Sequence, residues 1–130
     1  EIVKNKDLFL RNNIKKFVEL NVSAAFHSKY MNNAQETLSI EIEKLNFLEN
    51  KTKIISNYDA NIHNDSEKIK INLQKQMANK VKWTSSILKL EEIGENNILE
   101  IGPGKVLSGL INRISKNFVI NSINKISDLK

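Results

Sequence analysis

Cysteine is absent from the 130 residues, which removes disulfides, thiolate metal ligands and a cysteine nucleophile together. No apolar run approaches the ~18–20 residues that would cross a bilayer, and no hydrophobic stretch with a cleavage site opens the chain. A soluble intracellular protein that does not enter a membrane is the expectation. The single proline, Pro103, falls in one short turn with two of the four glycines. There is no internal repeat and no low-complexity segment. The chain opens on Glu1 rather than Met, so the expectation is that its original start has been removed.

What is present describes an ordinary folded protein. With 40% hydrophobic and 27% charged residues, the composition lies well away from that of disordered chains, and the length suits one domain or part of one. The net charge of +5 and a pI near 9.4 favour an anionic partner. The lysines are scattered over polar faces rather than gathered in a dense stripe, which argues against nucleic acid.

Hydrophobic periodicity divides the chain into alternating strands and helices. A short helix is expected within residues 1–14, with Ile2, Leu8 and Phe9 as apolar contacts and Asn12-Asn13 as a turn. Lys16 to Val22 alternates polar and apolar residues at the period of a half-buried strand. Ser28 can cap a helix bearing Met31, Ala34, Leu38, Ile42 and Leu45. A short strand over Lys53 to Asn57 leads into a polar loop, Tyr58 to Asp65, and Asp65 or Ser66 can cap a helix ending near Asn79. A helix from Trp83 to Ile93 stops at Gly94, where the left-handed conformation suits glycine. The strand Asn97 to Ile101, the turn Gly102-Pro103-Gly104, a helix through Ile114 and a strand Phe118 to Ile120 complete an α/β order.

Few residues could carry chemistry. His27 follows a strand and precedes a capped helix, where an imidazole can be held at a cleft edge as a general base. His63, between Asn61 and Asp65, reads as a solvated side chain, and the two histidines lack metal-ligand spacing. Gly102-Pro103-Gly104-Lys105 at a helix start could cradle a phosphate, but it lacks the longer P-loop pattern, and a tight turn is the favoured reading. No Gly-x-Ser-x-Gly elbow occurs, so a base at His27 has no nucleophile to serve within these residues.

Four ordered blocks carry a resemblance. Val22-Ser23-Ala24-Ala25-Phe26-His27-Ser28, Ser56-Asn57-Tyr58-Asp59-Ala60, Gln76-Met77-Ala78-Asn79-Lys80-Val81-Lys82-Trp83 and Glu100-Ile101-Gly102-Pro103-Gly104-Lys105-Val106-Leu107 together resemble the C-terminal part of bacterial malonyl-CoA:acyl carrier protein transacylases. The resemblance implies that His27 is the catalytic base and that the backbone carbonyl of Gln76, 49 residues on, orients it. It places Phe26 beside the acyl group, where a bulky ring leaves little room for an α-methyl branch, although Phe26 reads equally as plain core. It sets Lys15 and Lys16 near an acidic carrier-protein face, with a solvated charge pair as the alternative. Lys80 stands where the family often has Pro, and Asn21 where Pro is common.

The implied fold is the C-terminal part of an α/β-hydrolase-like acyltransferase large subdomain over residues 21–130, preceded over residues 1–20 by the end of an inserted ferredoxin-like small subdomain. The implied function is cytoplasmic malonyl transfer from coenzyme A to acyl carrier protein in fatty acid biosynthesis, by a ping-pong route through a serine upstream of this chain. Malonyl-CoA is then substrate, no metal or redox cofactor is required, and these 130 residues alone are expected to be inactive. A non-catalytic carrier-binding fragment and a polyketide acyltransferase module remain the alternatives.

Overall fold

A computed structural model of the chain describes residues 3–12, 14–19 and 21–129. Ile2, Asn13 and Leu20, read from the sequence as a helix contact, a turn residue and a strand residue, lie outside the described residues. A 3-10 turn at Val3–Asn5 leads into a six-residue helix, α1 (Lys6–Arg11). Phe9 stacks on Phe17 with ring centroids 5.9 Å apart, and the Lys6 ammonium lies over the same Phe17 ring.

The strand expected over Lys16 to Val22 does not form among the described residues. Alternation marks a segment able to pair, but a strand also needs a neighbour to accept its backbone hydrogen bonds. No such neighbour lies beside this segment among the described residues, and Val18 and Val22 are left exposed.

Ser28 caps a 3-10 turn, Lys29–Met31, through its hydroxyl and the Tyr30 N–H, and α2 (Asn32–Glu43) continues from it. α2 lies against α3 (Ser66–Gln76) and buries Ile42. The two helices are tied by polar groups as well as apolar ones. The buried Lys70 ammonium donates to the Glu43 carbonyl and pairs with its carboxylate, both at 3.1 Å. Gln74 donates to that carboxylate at 2.9 Å. Asp65, rather than Ser66, is the N-cap of α3, accepting from Lys68 N at 2.7 Å.

The segment from Tyr58 to Asp65, read from the sequence as a loop, contains a strand. β1 (Ile54–Ile55) and β2 (Ile62–His63) form an antiparallel hairpin, with Ile54 opposite His63. Two local devices close it. Asp59 Oδ1 accepts from Asn61 N at 3.0 Å, and Ala60 adopts a left-handed φ of 60° while its N–H reaches Ser56 O at 2.8 Å. A chain so rich in Asn and Asp signals a turn, but nothing in its composition reveals that the turn is tight enough to pair its flanks.

α4 (Trp83–Glu92) ends as expected near Gly94, whose φ is 77°. β3 (Asn97–Ile101), α5 (Val106–Ile114) and β4 (Val119–Ile123) then form a βαβ unit, with parallel pairing from Asn97–Val119 to Ile101–Ile123. Ile87, Ile111 and Phe118 are its buried centre, with Trp83, Leu90, Ile98, Ile114 and Ile120 packed around them. Phe118 thus precedes β4 as a core residue. The opposite side of the sheet is bare: Leu99, Val119 and Ile101 are 52%, 59% and 75% exposed. Parallel sheets normally have both faces covered.

Candidate active site

The last carbonyls of a helix have no partner within it and must find donors elsewhere. At the C-terminus of α3 that donor is His27. Its Nδ1 lies 3.2 Å from Gln76 O and 3.1 Å from Asn79 O, and its backbone N–H donates to Met77 O at 2.8 Å. Carbonyl oxygens only accept, so Nδ1 carries a proton and Nε2 of the neutral ring keeps its lone pair. Among the described residues Nε2 has no hydrogen-bond partner, and the ring is exposed. A rigidly held imidazole with a free, basic nitrogen is competent to take and return a proton.

The backbone at His27 is itself constrained, with φ at 62° in the left-handed region that residues with a Cβ rarely adopt. Around it the α3 terminus is fixed from three sides. Asn79 Nδ2 donates to Lys75 O at 2.7 Å, Gln35 Oε1 accepts from Ala78 N at 2.9 Å, and Lys82 N donates to Asn57 O at 2.8 Å. The sequence pointed to Gln76 alone; Asn79 is a second carbonyl on the same nitrogen, in the same block of sequence. No side-chain signal marks it, because the interacting atom is backbone.

His27 borders two concavities. On one side Phe26, Leu38, Ile42, Leu73 and Met77 line an apolar hollow of about 300 Å³. Phe26 is 51% exposed in this chain and forms its wall. On the other side a cleft of about 570 Å³ is lined by Lys29, Tyr58, Asp59, Lys80 and Lys82. Lys15 and Lys16 are exposed and line neither.

His63 is not solvated as expected. The hairpin folds it inward, and its Nε2 meets Asp59 Oδ2 at 2.8 Å with the imidazole 15% exposed. Asn72, also buried, donates to the same Oδ2 at 3.2 Å. Burial alone would raise the Asp59 pKa, but the hydrogen bonds from Asn61, His63 and Asn72 outweigh it, and the carboxyl titrates below its ordinary value.

The Gly102-Pro103-Gly104 turn is a turn and not a phosphate cradle. Three of the N–H groups at this helix start are already occupied: Glu100 accepts from Leu107 N at 3.0 Å and Ser108 N at 2.9 Å, and Asn124 Oδ1 accepts from Gly104 N at 2.6 Å. The Ser108 hydroxyl also donates to Glu100, and this bond leads the interactions that hold the Glu100 carboxyl below its usual range. Gly102 and Gly104 take φ of 143° and 89°, which explains glycine at both. Among the described residues no group of three or more His, Cys, Asp or Glu gathers as a metal site, and no helix is long and apolar enough to cross a membrane.

No model of a known protein family matches the chain. In fold it is similar to α/β acyltransferases. The malonyl-CoA:acyl carrier protein transacylase of Xanthomonas oryzae superposes with a TM-score of 0.88 at 31% identity, over 98% of this chain and 41% of that one. That of Streptococcus pneumoniae gives 0.87 at 26% identity, over 98% and 42%. In sequence, the chain is 45% identical over 116 residues to the polyketide biosynthesis protein PksE of Bacillus subtilis, covering 88% of this chain and 15% of that protein. It is 36% identical over 116 residues to the malonyl CoA-acyl carrier protein transacylase of Staphylococcus aureus, covering 89% and 38%. The chain is thus similar to the C-terminal part of malonyl-CoA:acyl carrier protein transacylases, and spans less than half the length of the relatives it matches.

Proposed function

We propose that this chain is the histidine-bearing portion of a malonyl-CoA:acyl carrier protein S-malonyltransferase acting in the cytoplasm in fatty acid biosynthesis. The observation that carries the reading is His27 Nδ1 set between Gln76 O and Asn79 O, with Nε2 left free. In the first half-reaction Nε2 takes the proton of a serine hydroxyl supplied by the remainder of the enzyme as the serine oxygen bonds to the malonyl carbonyl. The C–S bond then breaks and the imidazolium returns its proton to the departing CoA sulfur. In the second, Nε2 takes the proton of the carrier's thiol as its sulfur bonds to the malonyl carbonyl, the ester C–O bond to serine breaks, and the imidazolium returns the proton to the serine oxygen. A neutral carbonyl as orienter fixes the ring without placing a permanent negative charge beside it.

In this reading residues 1–20 close a ferredoxin-like small subdomain and residues 21–130 belong to an α/β-hydrolase-like large one. Phe26, on the apolar wall beside His27, faces the acyl group and disfavours an α-methyl branch. The exposed Lys15 and Lys16 lie on the carrier-protein side. A solved relative whose complex contains a holo acyl carrier protein and its malonyl-transacylase supports the carrier as partner. The similarity to PksE favours a second setting, an acyltransferase module of polyketide synthesis, with the same chemistry at His27.

The deciding experiment is labelling with [¹⁴C]malonyl-CoA of the parent gene product and of this chain alone. Label on a parent longer than this chain and none on the 130 residues is expected; an unlabelled longer product would remove the transacylase reading. Within a labelled enzyme, Gln76→Ala should change kcat/KM by less than about threefold because the orienting atom is backbone, whereas His27→Ala should cost on the order of 10²–10⁴. A large loss with Gln76→Ala would show that its side chain, not its carbonyl, matters.

A further inference from the structure

The cleft beside His27 holds more positive charge than the protein neutralises. Lys29, Lys80 and Lys82 line it, and Lys75 stands at its edge over Tyr58. None of these four is in an ion pair among the described residues. Three of the ammonium groups are instead drawn to aromatic faces: Lys75 and Lys82 lie 5.5 and 6.0 Å from the centroid of Tyr58, and Lys29 lies 5.8 Å from that of Tyr30. Such contacts hold a cation in place while leaving its charge uncancelled. The carboxylate lining the cleft, Asp59, is already engaged by Asn61 N, His63 and Asn72, so it is not free to pair with a lysine.

Several converging ammonium groups in a cleft of about 570 Å³ suit a phosphate better than a lone carboxylate, since a phosphate presents more acceptor oxygens. The neighbouring apolar hollow shares His27 as a wall. A ligand crossing His27 is thus offered an apolar side and an anionic side. We infer that Lys29, Lys80 and Lys82, with Lys75 supporting Tyr58, form a binding site for the phosphate of a phosphopantetheine arm, whether that arm belongs to coenzyme A or to a carrier protein. The inference rests on the transacylase reading for its ligand and on the unpaired lysines for its place.

The test is calorimetric titration of this chain with coenzyme A, with pantetheine, and with a carrier protein in its holo and apo forms. The combined variant Lys29→Gln, Lys80→Gln and Lys82→Gln is compared, its exposed positions leaving the fold intact by circular dichroism. Coenzyme A and holo carrier should bind, pantetheine should bind at least tenfold more weakly, and the variant should lose about tenfold or more for both phosphate-bearing ligands. Equal binding of pantetheine and coenzyme A, or binding unchanged in the variant, overturns the lysine site while leaving the transacylase reading intact. Loss confined to coenzyme A overturns the arm phosphate in favour of the nucleotide phosphates. A wild-type chain that binds neither coenzyme A nor holo carrier overturns the site, while malonyl labelling of the longer product decides the reading beneath it.

Discussion

At His27 two demands meet on one residue. The side chain must face the carbonyls at the end of α3, and the backbone takes φ of 62° to let it. A left-handed residue with a Cβ carries roughly 1–2 kcal/mol of strain that glycine does not. His27→Gly should therefore be about 0.5–1 kcal/mol more stable than His27→Ala, after allowing for the greater unfolded-state freedom of glycine. Urea melts of the two variants measure the difference; an Ala variant as stable as the Gly variant would remove the strain argument. The candidate base was legible in the sequence from its residue type and setting, and its Gln76 partner only through the resemblance of the four blocks, which implies a carbonyl at that position. The Asn79 contact was not, since a carbonyl leaves no trace in residue type, and the inward turn of His63 was hidden by a polar neighbourhood that suggested solvent.

At the scale of elements, α5 is held by an acid from the strand before it. Glu100 accepts from the first turn of the helix and from Ser108, whose hydroxyl also lies 3.2 Å from that of Ser122 on β4. The carboxyl is lowered in the folded state, so its contribution is present above the unfolded carboxylate pKa and is lost as pH falls through the folded one. Asp59, lowered as well, acts in the same direction on the hairpin. Glu100→Gln should flatten the acid limb of the stability–pH profile and leave the neutral-to-alkaline slope unchanged, as read by urea melts across pH. An acid limb as steep as wild type would mean that other carboxyls carry it. The helices and the βαβ order were readable from periodicity and from Gly94 and Gly102, whereas the segment at Lys16 to Val22 was misread because pairing depends on a neighbour that periodicity cannot supply.

For the molecule as a whole, the buried centre is small and lies on one side of the β3–β4 sheet. Ile111, 2% exposed, should cost about 2–5 kcal/mol when cut to alanine. Ile101, 75% exposed on the other side, should cost within about 0.5 kcal/mol by the same cut in this chain. Comparable losses at both positions, measured by denaturant titration, would mean that something covers the bare face in solution. That face also bears on the calorimetry of unfolding. Apolar surface that is already wet in the native state adds nothing to the heat-capacity increment on melting. The chain should therefore show an increment below the ~12–15 cal/mol/K per residue usual for globular proteins, and with it a shallow stability curve whose midpoint moves far for small changes in solvent.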